Sequence, residues 1–140
     1  MSTPTPTAPR RGWRRGQAYV EFALTALALV LLMFGIFEMC LLFYDYDLVS
    51  YAASSGARWA MVHGANSSSP ATSADVQNYV QGIVPGLNPA RLGVNAYWPQ
   101  GNKPGSVVTV NVSYSFVFLP PFNNLGPLQL SVSAQSGIQN

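Results

Sequence analysis

A nearly uninterrupted apolar run near the N-terminus constrains this 140-residue chain more than any other feature. Thr25 and Glu38 are the only strongly polar residues within residues 22–44. At about 1.5 Å per helical residue, this run spans roughly 35 Å, enough to cross a hydrocarbon core of about 30 Å. The sequence therefore predicts one transmembrane helix at about residues 20–44.

The distribution of charge predicts how this helix is oriented. Four arginines precede the run, whereas the first acidic residue of the chain is Glu21. Basic residues remain on the cytoplasmic side, so the N-terminus is expected inside and everything after about Asp45 outside. Without these arginines the chain is mildly acidic, which argues against nucleic acid as a partner. The four arginines are Arg10, Arg11, Arg14 and Arg15.

An ordinary secretory signal also joins a basic segment to an apolar stretch. Its apolar core is shorter, however, and ends at a cleavage site between small residues, whereas this run continues through Glu38 and Cys40 into further leucines. We therefore favour a retained helix over a removed signal. Cys40 is the only cysteine, so no disulfide can form within the chain, and we interpret it as a small apolar residue of the membrane helix.

The helical pattern extends beyond the membrane. No proline occurs between Gln17 and His63, and Gly64 is placed to end a helix, so we predict one long helix as the segment 17–64. Small residues recur at spacings of three and four in its second half, which lets another part of the chain or a second helix approach closely. This small-residue set comprises Val49, Ala52, Ala53, Gly56, Ala57 and Ala60.

The exported part, residues 65–140, combines helical and strand patterns. Thr72 or Ser73 can cap a short helix, because the apolar residues that follow fall on one face and Pro85 ends the pattern. From Leu92 onward, apolar and polar residues alternate in three segments, as in half-buried strands. Turn-rich loops between them favour antiparallel pairing. We predict an α+β fold, in which the long N-terminal transmembrane helix packs on a small antiparallel sheet of three to four strands, with one short extra helix.

A distinctive motif stands where the apolar run begins. Gly16 follows the arginines directly, four uncharged residues come next, and Glu21 follows them. Residues 16–24 read Gly-Gln-Ala-Tyr-Val-Glu-Phe-Ala-Leu. This string resembles the prepilin segment of the TadE-like proteins of tight-adherence (Tad) pili. The specific resemblance covers about the first third of the chain, and the sheet half matches in general layout only.

The resemblance implies a processing event. In type IV-like prepilins a membrane peptidase cuts after the glycine that ends a basic leader, which here would remove residues 1–16 and leave Gln17 as the N-terminus. Glu21 would then be the fifth residue, where its carboxylate can pair with an N-terminal amine and offset the cost of burying either charge alone. The resemblance also gives helix-packing roles to Gly35, Ala52, Ala53 and Arg58.

On this resemblance the chain is a minor pilin or pseudopilin of a Tad-type pilus, built into a filament or initiating its assembly, for adhesion or surface attachment. The implied partners are prepilin peptidase, other pilin subunits, pilus assembly proteins and the membrane. The implied location is the inner (cytoplasmic) membrane, followed by an extracellular pilus after processing. The alternative is an uncleaved single-pass envelope protein whose small exported domain binds a protein or a ligand.

Nothing in the sequence indicates catalysis or metal binding. His63 is the only histidine, and Asp45 and Asp47 are two residues apart, so on a helix they point in different directions. No Ser/His/Asp grouping, phosphate-binding loop or metal-ligand spacing is present. We therefore expect neither an enzyme nor a cofactor or metal site.

Glu38 is the one acid inside the apolar run. It precedes Asp45 by seven residues and shares roughly one helix face with it. The spacing suggests either a polar seam directed toward a partner or the outer interface, or an isolated interfacial carboxylate with apolar neighbours.

Overall fold

The computed structural model describes residues 12–139, and their side chains from residue 16 onward. Most of the predicted leader, including Arg10 and Arg11 and the side chains of Arg14 and Arg15, therefore lies outside the described residues. The fold is α+β, as predicted, with three strands in the described part of the chain. Its helices are α1 (Gly12–Val62) and α2 (Ser73–Ile83), and its strands are β1 (Leu92–Tyr97), β2 (Val107–Phe116) and β3 (Leu128–Gly137).

Helix α1 begins five residues earlier than the sequence predicted and ends at Val62, one residue before His63. It contributes to two compact units, of which the first ends at Phe37 and the second is Glu38–Asn140. In the first unit most of the large apolar side chains are exposed to solvent. By length and composition, α1 could cross a membrane.

The sheet lies in the second unit and has the strand order β1-β2-β3 with both pairs antiparallel. Val112 at its centre pairs with Val94 of β1 and with Val132 of β3. The alternation seen in the sequence directs one face of each strand inward, as period-two patterning requires. The fully buried inward side chains of the central strand are Val108, Val110 and Val112.

The core joins this sheet face to both helices. Val76 and Val80 of α2 are completely buried, as are Ala52, Ala53 and Ala60 of α1. Small side chains of α1 thus share one buried cluster with residues of α2 and of the sheet. Tyr114 and Phe116 of β2 are also buried in this core, whereas Tyr97 of β1 is exposed.

Helix α2 begins with a capping box. Thr72 is the N-cap residue, one of the two candidates from the sequence, and its Oγ1 accepts a hydrogen bond from the backbone N–H of Asp75 at 3.3 Å. In return, Oδ2 of Asp75 accepts from the Thr72 hydroxyl at 2.6 Å and from the Thr72 backbone N–H at 3.0 Å. These bonds satisfy donors that every helix start leaves open.

This capping box predicts an acid-sensitive contribution to stability. The hydrogen bonds from the hydroxyl and then the backbone of Thr72 lower the pKa of the Asp75 carboxyl. Because the folded-state pKa is below the unfolded value, the contribution is present above the unfolded pKa and is lost as pH falls through the folded one. Urea unfolding of the full chain in detergent should therefore show a fall in stability below about pH 4 that Asp75→Asn diminishes. An unchanged pH profile in Asp75→Asn would contradict this assignment.

Candidate functional site

The residues of the predicted cleavage site lie on the exposed surface of α1. A Cβ added to Gly16 would meet nothing within 4 Å among the described residues. Glycine is also the weakest ordinary helix former, about 1 kcal/mol less favourable than alanine inside a helix. The bond after Gly16 therefore lies where the helix is comparatively easy to open into the extended form that proteases bind.

Glu21 stands one helical turn beyond Gln17. The Nε2 of Gln17 donates to Oε1 of Glu21 at 3.3 Å, and both side chains are exposed. The hydroxyl of Thr25 donates to the backbone carbonyl of Glu21 at 2.9 Å and not to its side chain. The Glu21 carboxylate therefore remains able to accept a further hydrogen bond. A cut after Gly16 would place a new amine on Gln17, within about one turn of this carboxylate.

Of the predicted helix-packing residues, three lie together in the second unit. Ala52 and Ala53 are fully buried, and Gly56 lies against α2 and the sheet. A Cβ added to Gly56 would stand 2.9 Å from Cγ2 of Val80 and 3.3 Å from Cγ1 of Val110. Glycine at this position thus lets α1 approach its own domain closely.

The other two helix-packing residues are placed differently. A Cβ added to Gly35 would meet nothing within 4 Å among the described residues, and Arg58 is exposed. Neither residue belongs to the buried core that contains Ala52 and Ala53. Among the residues that the structure describes, Gly35 has no close neighbour for an added Cβ and Arg58 is exposed, so neither is tightly packed.

Glu38 has a structural role that the sequence did not reveal. Its side chain is only 4% exposed, and Oε1 accepts a hydrogen bond from the backbone N–H of Leu119 at 2.8 Å. Its Oε2 is buried without a hydrogen-bond partner among the residues that the structure describes. Glu38 thus holds the loop between β2 and β3, and the predicted polar seam with Asp45 is wrong because Glu38 faces this loop.

His63 takes part in a local stack. Its Nδ1 donates to the carbonyl oxygen of Trp59 at 2.8 Å, since that oxygen can only accept. Its ring stacks on Trp59 with 4.0 Å between centroids, and Trp59 stacks in turn on Tyr79 at 5.3 Å. Within residues 12–139 no three His, Cys, Asp or Glu side chains come close enough to hold a metal ion. Through its hydrogen bond to Trp59 and its stacked ring, His63 stabilises the end of α1.

The comparisons with known proteins concern this N-terminal region. Residues 16–58 match the sequence profile of the family described as TadE-like protein. The match begins at Gly16, ends at Arg58 and confirms the resemblance to TadE-like proteins over that segment. Neither a curated protein nor a solved structure matches the chain significantly.

Proposed function

We propose that this protein is a Tad pilus-associated, TadE-like minor pilin or pseudopilin that is cut after Gly16. The observation that carries the proposal is the match to TadE-like proteins over residues 16–58, because it takes in Gly16, Glu21 and the apolar helix together. The mature protein is then built into a Tad-type pilus, or initiates its assembly, in adhesion or surface attachment.

The topology suits such a role. Helix α1 is anchored in the inner membrane with its basic end in the cytoplasm, and the second unit is exported. The scissile bond after Gly16 then lies at the cytoplasmic end of the apolar run, within reach of a membrane peptidase. The exposed position of Gly16 and the helix cost of glycine support access to this bond.

Glu21 supplies the assembly signal. A carboxylate at the start of a membrane helix is costly to bury alone. After cleavage, the amine of Gln17 or that of a neighbouring subunit pairs with it, so that neither charge enters an apolar environment unpaired. The exposure of Glu21 in the single chain supports such pairing with another subunit.

The protein is a substrate of prepilin peptidase in this proposal and has no catalytic activity of its own. Its partners are that peptidase, other pilin subunits and the pilus assembly proteins. The ring stack around His63 and the hydrogen-bonded Asp75 carboxylate are both accounted for by local structure.

N-terminal sequencing of the protein from its native host tests the proposal. We expect the mature chain to begin at Gln17, and to retain residues 1–16 in a strain that lacks prepilin peptidase. Recovery of only the full-length chain from cells with an active peptidase would contradict the proposal. That outcome would favour the uncleaved single-pass envelope protein.

A further inference from the structure

The loop between β2 and β3, residues 117–127, presents apolar side chains to solvent. Leu119 is 49% exposed, and Leu125, at 71%, is the most exposed large apolar residue in the described part of the second unit. Val117 and Leu128, at the two ends of the loop, are also exposed. Exposed apolar side chains gathered on one loop are typical of a surface that contacts a partner or a membrane.

The loop also lies in an uncharged part of the sequence. Residues 104–140 contain no Asp, Glu, Lys, Arg or His. Moving an ionised side chain out of water is the largest free-energy cost of entering an environment of low polarity. The loop carries no such side chain and therefore avoids this cost. Its polar side chains, Asn123 and Asn124, are of a kind that the hydrated interface of a bilayer can accommodate.

The hydrogen bond from Leu119 to Glu38 fixes where the loop meets α1. Leu41 and Leu42, which lie in the predicted span of about residues 20–44, pack against the core of the second unit, so we place the outer end of the span before Glu38. The 21 residues of 17–37 extend roughly 31 Å as a helix, which matches a hydrocarbon core of about 30 Å. Glu38 follows directly, so it stands at the level where a membrane helix that begins at Gln17 leaves the hydrocarbon. Through the 2.8 Å bond to Glu38, the backbone of Leu119 stands at the same level.

We propose that loop 117–127 is a second membrane contact, seated in the outer interfacial layer of the bilayer with Leu119 and Leu125 against lipid. Lipid is the expected occupant, because Leu119 is hydrogen-bonded to Glu38, the residue that directly follows the membrane span. Apolar side chains at this depth leave water, which favours insertion in proportion to their area. This inference rests on the membrane topology of the proposed function, and does not depend on processing or filament assembly.

The test places a fluorescent reporter on the loop. The full chain, with Cys40→Ala to remove its one thiol, carries Leu125→Cys labelled with the environment-sensitive dye NBD and is reconstituted into phosphatidylcholine vesicles. Ser68→Cys is the matched exposed control, because it follows the far end of α1, about 36 Å along the helix from Glu38. Leu29→Cys, near the middle of the span 17–37, reports on insertion itself through quenching by doxyl lipid labelled near the end of its acyl chain.

We expect the dye at residue 125 to emit at shorter wavelength and to be quenched by headgroup-proximal doxyl lipid at least twofold more than the dye at residue 68. If residue 29 is quenched but residues 125 and 68 are quenched equally weakly, the loop does not contact lipid, and the membrane topology still stands. Absence of quenching at residue 29 would overturn both. A blue shift at residue 125 without lipid quenching would place the loop against protein, such as a second copy, and would also overturn the proposal.

The hydrogen bond to Glu38 supplies a second, independent readout. Glu38→Ala removes the acceptor for Leu119, so the lipid quenching at residue 125 should fall toward that at residue 68. Glu38→Gln keeps a side-chain oxygen acceptor of the same length and should retain most of the quenching. Equal quenching in Glu38→Ala and the parent would show that Glu38 does not position the loop at the membrane.

Discussion

Gly16→Leu is expected to leave the protein folded and membrane-inserted but unprocessed, with the mature form below detection. The substitution meets no neighbour in the described structure, so it does not disturb the fold. Leucine is about 1 kcal/mol better than glycine in a helix, and therefore resists local opening. Its side chain would also have to enter the peptidase site beside the scissile bond, where glycine brings none. Immunoblotting for precursor and mature protein in the native host measures the effect.

Gly12→Leu is the matched control for this substitution. It changes a glycine of the same predicted leader, four residues earlier, and should leave processing near the parental level. Normal processing of Gly16→Leu would show that the peptidase does not cut after Gly16. Failure of both variants would point to general damage to the leader.

Gly56→Leu is expected to destabilise the second unit by about 2 kcal/mol or more, because overpacking typically costs about 1–3 kcal/mol and here begins at the first added carbon. Even a Cβ would stand 2.9 Å from Val80 and 3.3 Å from Val110, both stiff side chains in a fully buried core. The gain in helix propensity, about 1 kcal/mol, offsets only part of this loss. Protease susceptibility of the full chain across a urea series, in detergent, measures the change.

Gly82→Leu is the control for the second substitution. Gly82 lies in α2 as Gly56 lies in α1, but it is exposed and has nothing within 4 Å of an added Cβ among the described residues. Its replacement should leave stability unchanged or raise it slightly. If Gly56→Leu and Gly82→Leu were equally stable, the close approach of α1 to its domain would be refuted.

Much of the fold could be predicted because its signals are local. The period of two in residues 107–116 predicted a strand, and Thr72 or Ser73 as N-cap predicted a helix start. The structure shows that Thr72 caps this helix through contacts with Asp75, only three residues away. The start of α1 was placed too late, since nothing in the Gly12–Gly16 segment forbids a helix and the apolar signal begins only after it.

Parts of the candidate site could also be predicted from the amino-acid sequence. Gly16 and Glu21 are separated by a fixed five residues, and residues 16–58 match TadE-like proteins on sequence alone. The small residues around Ala52 predicted a close contact, but not which neighbour fills it. Val80 and Val110 are separated from Gly56 by 24 and 54 residues of chain, and only the folded core brings them to it.

The amino-acid sequence by itself determined the apolar helix, the Gly16–Glu21 motif and the three alternating strands, because each depends on residues close together in the chain. Only the tertiary structure decided what Glu38 does. Leu119 is 81 residues away, and no spacing rule connects a carboxylate in an apolar run with the backbone of a distant proline-rich loop. Packing of the sheet against α1 brings the two together, since a buried carboxylate must find a donor wherever the fold provides one.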